Sequence, residues 1–233
     1  MLFRQFFDSD SSTFTYLVAT STGADCLIVD PVRERVGQYL QAIAELDLRL
    51  VAALDTHLHA DHITGIGLLA ERSGCAARMP AISGVRAALG FGDGDDVGLP
   101  GLAMRVMETP GHTDDSCCFL LADRVLSGDT LLIRGTGRTD FQNGDARAAW
   151  ASLQKLLALP DDTLVYPAHD YKGWTVSTIG EERRHNPRLQ LDSAEAYARL
   201  MAGLNLPCPK RIHTALPANR RLGREETEQP RPA

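Results

Sequence analysis

Short apolar blocks alternate with amphipathic stretches along most of the chain. "FTYLVA" (14–19) and "DCLIVD" (25–30) carry the β-branched and aromatic residues of paired strands, whereas apolar positions in "RERVGQYLQAIAEL" (33–46) return at helical spacing. "LRLVAAL" (48–54) is apolar without alternation, as in a strand buried on both faces. "ITGIGLLAERSG" (63–74) predicts a helix stopped at Gly74, because glycine readily takes the left-handed conformation that ends helices. Strands are predicted at "AMRVME" (103–108), "CCFLLA" (117–122) and "RVLSGD" (124–129). A helix is predicted at "ARAAWASLQKLLAL" (146–159), and "TLVYPAH" (163–169) reads as a strand ending on a histidine. No repeat or Gly/Ser-rich linker divides these elements. The pattern therefore predicts a single α/β domain over 1–233, sheets inside and helices outside, with a helical C-terminal extension from about 180 and a flexible polar tail over 222–233.

At 233 residues, 44% hydrophobic and 23% charged, the chain can bury a core of this size. Its net charge of −6 provides no basic surface for phosphates, so no nucleic-acid partner is expected. The N-terminal segment has no apolar stretch of signal-peptide length, and no stretch approaches the ~18 apolar residues of a membrane span. A soluble cytoplasmic protein with no membrane partner is the expectation. Cys26, Cys75, Cys117, Cys118 and Cys208 are an odd set without CxxC spacing, and they read as buried thiols rather than a disulfide framework or a thiolate zinc site.

Candidate chemistry collects where predicted strands end. "THLHADH" (56–62) offers His57, His59, Asp61 and His62; "TPGHTDD" offers His112, "SGDT" offers Asp129, and "YPAHD" offers His169. Five of the seven histidines fall here. Any one alone reads as a hydrogen-bonded loop residue. Gathered together with two carboxylates they call for a cation, because an unpaired buried carboxylate costs several kcal/mol. Imidazole and carboxylate ligands suit zinc, iron or manganese. Two chemistries stay open on the residues alone. Two metals bridged by Asp129 would make a metal-bound hydroxide fit for hydrolysis, whereas two histidines and one aspartate on a single ion form a triad with open positions fit for Fe(II) and O2.

"THLHADH" with His112, Asp129 and His169 resembles the metallo-β-lactamase superfamily, which implies an αββα sandwich of two mixed β-sheets flanked by helices. "GDTLLIRGTGRTDFQNGD" (128–145) and "PAHDYKGWTVSTIGEERRHNPRL" (167–189) resemble the ETHE1-like persulfide dioxygenases, or sulfur dioxygenases, and the similarity runs from "SSTFTYLV" to "LPANRRLG". That resemblance implies one Fe(2+) per chain held by His57, His112 and Asp129. It also implies the conversion of glutathione persulfide, O2 and water to sulfite and glutathione in sulfide detoxification, and a homodimer or higher homo-oligomer. His59, Asp61, His62 and His169 match the superfamily's other metal positions, and are expected as an outer hydrogen-bonding shell or a vestigial second metal site. One departure from the pattern is "DDS" (114–116), where some members carry a proline-glycine pair after "PGHT".

Glutathione carries two carboxylates, which a guanidinium grips well. Arg138, in the same segment as Arg134, and Tyr171 are the candidate substrate contacts. A structural pair with Asp140 is an equal reading for Arg138, and simple packing is an alternative for Tyr171. "EERRHNPRL" (181–189) is a charged helical start that would lie near the pocket mouth, and His185 and His213 fall outside the metal pattern. The rival functions are a zinc-type glutathione thioester hydrolase resembling glyoxalase II and a catalytically silent thiol-binding module.

Overall fold

A computed structural model describes residues 1–208 and 210–224. Two mixed sheets face each other. The first runs β1 (Leu2–Asp8), β2 (Thr13–Ala19), β3 (Asp25–Val29), β4 (Arg49–Leu54), β5 (Ala76–Pro80) and β6 (Leu89–Phe91) in that order. The second takes the order β11 (Ser177–Thr178), β10 (Leu164–Pro167), β9 (Arg124–Gly128), β8 (Cys117–Leu120) and β7 (Arg105–Glu108). Strands β3 to β6 pair in parallel, as do β9 and β10, and the remaining neighbours are antiparallel.

The strand alternation separates three apolar layers, since successive side chains point to opposite faces. In β2, Phe14, Tyr16 and Val18 point between the sheets toward Phe119 and Leu126, while Leu17 and Ala19 point outward. The outward face is covered by Tyr39 and Ile43 of α1 (Val36–Glu45) and by Ile66 and Leu69 of α2 (Ile66–Ser73). The second sheet is covered by Leu153 of α3 (Ala146–Leu157), Ile179 of α4 (Ile179–His185) and Tyr197 of α5 (Ala194–Ala202). This is the αββα order.

Most predicted elements are present within a few residues. Helix α2 ends at Gly74, which has φ 74° and returns its N–H to Ala70 O. The first predicted helix opens with a 3-10 turn over Arg33–Arg35 before α1 begins. Strands β1, β5, β6 and β11 were not read from the sequence. The described C-terminal region carries α4, α5 and α6 (Ile212–Asn219). Against the flexible tail expected from 222, Leu222 is buried, and Gly67 N–H donates to Leu222 O at 3.1 Å. Residues 225–233 of that tail lie outside the described residues. Cysteines 26, 75, 117 and 118 are buried as expected, but Cys208 is exposed, because it sits in the connection after α5 rather than in a strand. Burial pushes the Cys118 thiol up to about 11, far from thiolate formation. No helix among the described residues is long and apolar enough to cross a membrane.

The C-terminal helix locks the histidine-rich loop after β4. Asn219 Nδ2 donates to both His59 O and His62 O at 2.9 Å, and its Oδ1 accepts from Thr64 N–H at 2.9 Å. Removing this fully buried amide would strand those groups, at a cost of about 1–3 kcal/mol. Asn219→Ala is expected to lower the unfolding free energy by roughly that amount. Urea denaturation followed by circular dichroism checks it, and an unchanged midpoint would sink the assignment.

Candidate metal centre

Loops from both sheets meet at one edge. The β4–α2 loop brings His57, His59, Asp61 and His62, the β7–β8 turn brings His112, and the ends of β9 and β10 bring Asp129 and His169. Direct links hold the two sheets together here. Phe14 N–H donates to Ala168 O at 2.7 Å, Cys117 N–H to Thr56 O at 3.0 Å, and the Tyr16 hydroxyl to Pro167 O at 2.5 Å. Gly111, before His112, has φ 142°, and a Cβ there would fall 2.3 Å from Ala149 Cα; the turn can rest on α3 only with glycine.

His57, His112 and Asp129 form one cluster whose ligand atoms lie within 4.8 Å of one another. The His112 ring donates Nδ1–H to Arg138 O at 2.8 Å, which leaves Nε2 bare, 3.3 Å from Asp129 Oδ2. Gly137 permits this approach, since a Cβ there would lie 2.9 Å from His112 Nδ1. Asp129 Oδ1 is buried without a hydrogen-bond donor among the described residues. Burial alone would raise the Asp129 carboxyl, but the rings of His169, His112 and His57 hold it below the usual carboxylate range. Burial, then the neighbouring His59 and His112 rings, push His57 well below the ordinary imidazole value, so it is a neutral ring with a lone pair to offer.

Beside this cluster, His59, Asp61 and His62 form a second one. Asp61 Oδ2 accepts from His62 Nδ1 at 2.9 Å and from Thr13 Oγ1 at 3.2 Å, and lies 3.5 Å from His169 Nε2. His169 is oriented by Nδ1–H donation to Ser12 O at 3.0 Å and lies 3.5 Å from Asp129 Oδ1. Buried His59 Nδ1 and His62 Nε2 lack partners among the described residues. A metal cation suits this donor set: it supplies the charge that the unpaired Asp129 oxygen lacks and a partner for orphaned imidazole nitrogens.

All seven sequence-predicted metal-type residues are thus brought together. The predicted substrate residues are placed differently. Arg138 forks onto Asp140 through Nε at 2.7 Å and Nη2 at 2.9 Å, donates to Pro207 O and lies over the Phe141 ring, so its structural pairing is formed. Arg134, with φ 57°, is consumed by buried Glu182, with Glu181 and Ser177 beside it. Tyr171 stacks on His169, ring centroids 5.8 Å apart and 14° from parallel, and is 70% exposed. The charged segment after it is partly internal: Glu182 is fully buried and Asn186 donates to Gly135 O at 2.9 Å.

Sequence reading missed the groups beneath the site. Asp30 accepts from Thr56 N–H and from His59 Nε2, Thr64 Oγ1 donates to Asp55, and Asp115 accepts from Leu58 N–H. The available signal was the parallel pairing of β3 with β4, which puts Asp30 and Asp55, each just past its strand, at the same sheet end. From the second sheet's side, Gln142, at φ 49°, donates to Leu58 O at 2.6 Å.

Known proteins share this architecture. The family model of the metallo-beta-lactamase superfamily matches residues 9–88 and 80–169. The human mitochondrial persulfide dioxygenase ETHE1 is 47% identical over 227 residues, covering 96% of this chain and 89% of its own length. The crystal structure of ETHE1 from Myxococcus xanthus superposes with TM-score 0.93 at 51% identity, over 96% of this chain and all of that one. A protein designated TTHA1623, solved in a di-iron-bound form, matches at TM-score 0.67 and 27% identity over 79% of this chain and 98% of its own. Identity of this extent over nearly the full length, joined to the metal-type residues at the sheet edge, means that the chain belongs to the metallo-beta-lactamase superfamily and, within it, to the persulfide dioxygenase family.

Proposed function

We propose that the chain oxidises glutathione persulfide with O2 and water to sulfite and glutathione, using one ferrous iron held by His57, His112 and Asp129. The observation that carries this reading is the two-imidazole, one-carboxylate cluster, within 4.8 Å, in a chain 47% identical to a persulfide dioxygenase. The chain is an enzyme of that class and uses a metal cofactor. An iron held by His57, His112 and Asp129 would supply the redox chemistry that joins the persulfide sulfur to O2. The balance is one persulfide, one O2 and one water giving one thiol and one sulfurous acid.

The protein's residues prepare that encounter. Arg138 O fixes the His112 ring and Ser12 O fixes His169. Tyr171, open to solvent and stacked on His169, forms part of the rim where the tripeptide would bind. Arg138 would contribute by holding the 138–141 turn, and a direct grip on a glutathione carboxylate would require it to release Asp140. A homo-oligomer in the cytoplasm completes the proposal.

In the metal-free chain the His57 and His59 rings differ in charge. Burial lowers His59, but Asp30, Asp55 and Asp61 outweigh it and push the ring up to about 10, whereas His57 is held neutral. What counts against a zinc-type thioester hydrolase is the 47% identity to a persulfide dioxygenase over nearly the full length. His59, Asp61, His62 and His169 accordingly serve as the hydrogen-bonding surround of the site.

Protein purified without oxygen is expected to contain about one iron per chain and to consume O2 only with glutathione persulfide present. Two zincs with thioester cleavage would overturn the reading. His112→Ala and Asp129→Ala are expected to lose both iron and O2 uptake, and full activity in either would refute the triad. In the metal-free chain, His59 has a pKa raised from 6.5 to about 10. Its stabilising contribution is present below 6.5 and lost as pH rises through about 10. The unfolding free energy of metal-free protein is therefore expected to fall across that window, and His59→Gln to flatten the fall. Denaturant titrations at several pH values measure it, and an unaltered slope in the variant would remove His59 as the cause.

A further inference from the structure

We infer that Asp30, acting through Thr56, is a positioning residue that decides which nitrogen His57 turns toward the metal; the inference rests on the proposed ligation by His57. Asp30 follows β3, is 1% exposed and has φ 51°, a left-handed conformation uncommon for any residue but glycine. Such backbone persists only where surrounding contacts over-determine it. Here its N–H donates to Leu54 O at 2.8 Å, and its carbonyl accepts from Thr15 Oγ1 at 2.7 Å.

The carboxylate so held has three donors. Oδ1 accepts from Thr56 N–H at 2.7 Å and from His59 Nε2 at 3.1 Å, and Oδ2 accepts from the Thr56 hydroxyl at 3.0 Å. The same hydroxyl oxygen lies 3.0 Å from His57 Nδ1. A hydroxyl has one hydrogen. Because that hydrogen is given to Asp30, Thr56 Oγ1 can only accept from His57, so the ring proton sits on Nδ1 and the Nε2 lone pair is free for the metal. On His59 the same carboxylate takes Nε2–H and leaves Nδ1 facing the site. One buried carboxylate thereby sets opposite faces of two rings whose centroids are 4.2 Å apart. The turn carrying Asp129 rests on this chain of bonds: a Cβ at Gly128 would lie 3.1 Å from Thr56 Oγ1. His112 is oriented independently by Arg138 O, so the Asp30 device acts on the β4 side only.

The hydrogen count orders three variants. Thr56→Val keeps the shape and the backbone bond to Asp30 but removes the acceptor for His57 Nδ1–H. Thr56→Ser keeps the hydroxyl. Asp30→Asn does more than weaken the link. Its oxygen stays on the two N–H donors, its amide then donates to Thr56 Oγ1, and the hydroxyl hydrogen turns toward His57 Nδ1, driving the ring proton onto Nε2.

The test is cobalt(II) and ferrous-iron affinity of the full chain by chelator competition, with the visible spectrum of the cobalt form and urea unfolding of each metal-free variant. Affinity is expected to fall about 10–100-fold in Thr56→Val with a shifted cobalt spectrum, to fall further in Asp30→Asn, and to stay near the parent value in Thr56→Ser. A folded Thr56→Val with parental affinity and spectrum would overturn the inference. If Asp30→Asn does not fold, the valine and serine pair still decides. None of these readouts uses persulfide, so a chain that binds metal in this order without oxidising persulfide would count against the proposed reaction alone. His57→Ala serves as the control: parental metal affinity in it would remove the ligand on which the inference depends.

Discussion

An ionised carboxylate taken out of water costs several kcal/mol unless positive charge or hydrogen-bond donors stand against it. At one edge of the sandwich this chain buries Asp30, Asp55 and Asp129, with Asp61 partly covered beside them. Asp30 is answered by backbone and hydroxyl donors and by His59. Asp129 is faced by three rings and still has a buried oxygen without a donor among the described residues. Asp55 Oδ2 also lacks a donor among the described residues, but burial pushes its carboxyl up to about 7, whereas Asp129 is held below the usual carboxylate range and is the one left to meet a cation.

The sandwich holds that arrangement together because its sheets are tied at the same edge. Tyr16 reaches Pro167, Phe14 reaches Ala168, and Cys117 reaches Thr56, so loops after β4, β9 and β10 cannot shift independently. Asn219 clamps the histidine-rich loop from the C-terminal side through three hydrogen bonds. Rigid support of this kind is what a metal site requires, since ring orientation and tautomer are set by the atoms behind the ligands. The price is paid in backbone conformation, at Asp30 with φ 51° and at Gly111 with φ 142°.

Much of this was legible in the chain. Strands β2, β3 and β4 announce themselves by dense β-branched and apolar runs, and the Gly74 stop is local chemistry that needs no tertiary partner. The ligand-type residues were legible because they cluster in short motifs at strand ends. Strands β5 and β6 were not, because "AARMP" and "LGF" are short and take their conformation from neighbours in the sheet. Leu222 was read as tail because its sequence surroundings are polar, yet its side chain completes the layer under α1 and α2.

The residue pattern by itself determined the fold class, the gathering of five histidines and two aspartates, and a resemblance specific enough to separate oxygenase from hydrolase. Local spacing carries those signals, because side-chain period and motif order survive in one dimension. Tertiary structure alone decided how each side chain is used. It consumed Arg138 on Asp140 and Arg134 on Glu182, left the Asp129 oxygen unpaired, and joined Asp30 to Thr56 across 26 positions. Hydrogen bonds and charge depend on distances of a few ångströms, and the parallel pairing of β3 with β4 creates those distances between residues that the chain keeps far apart.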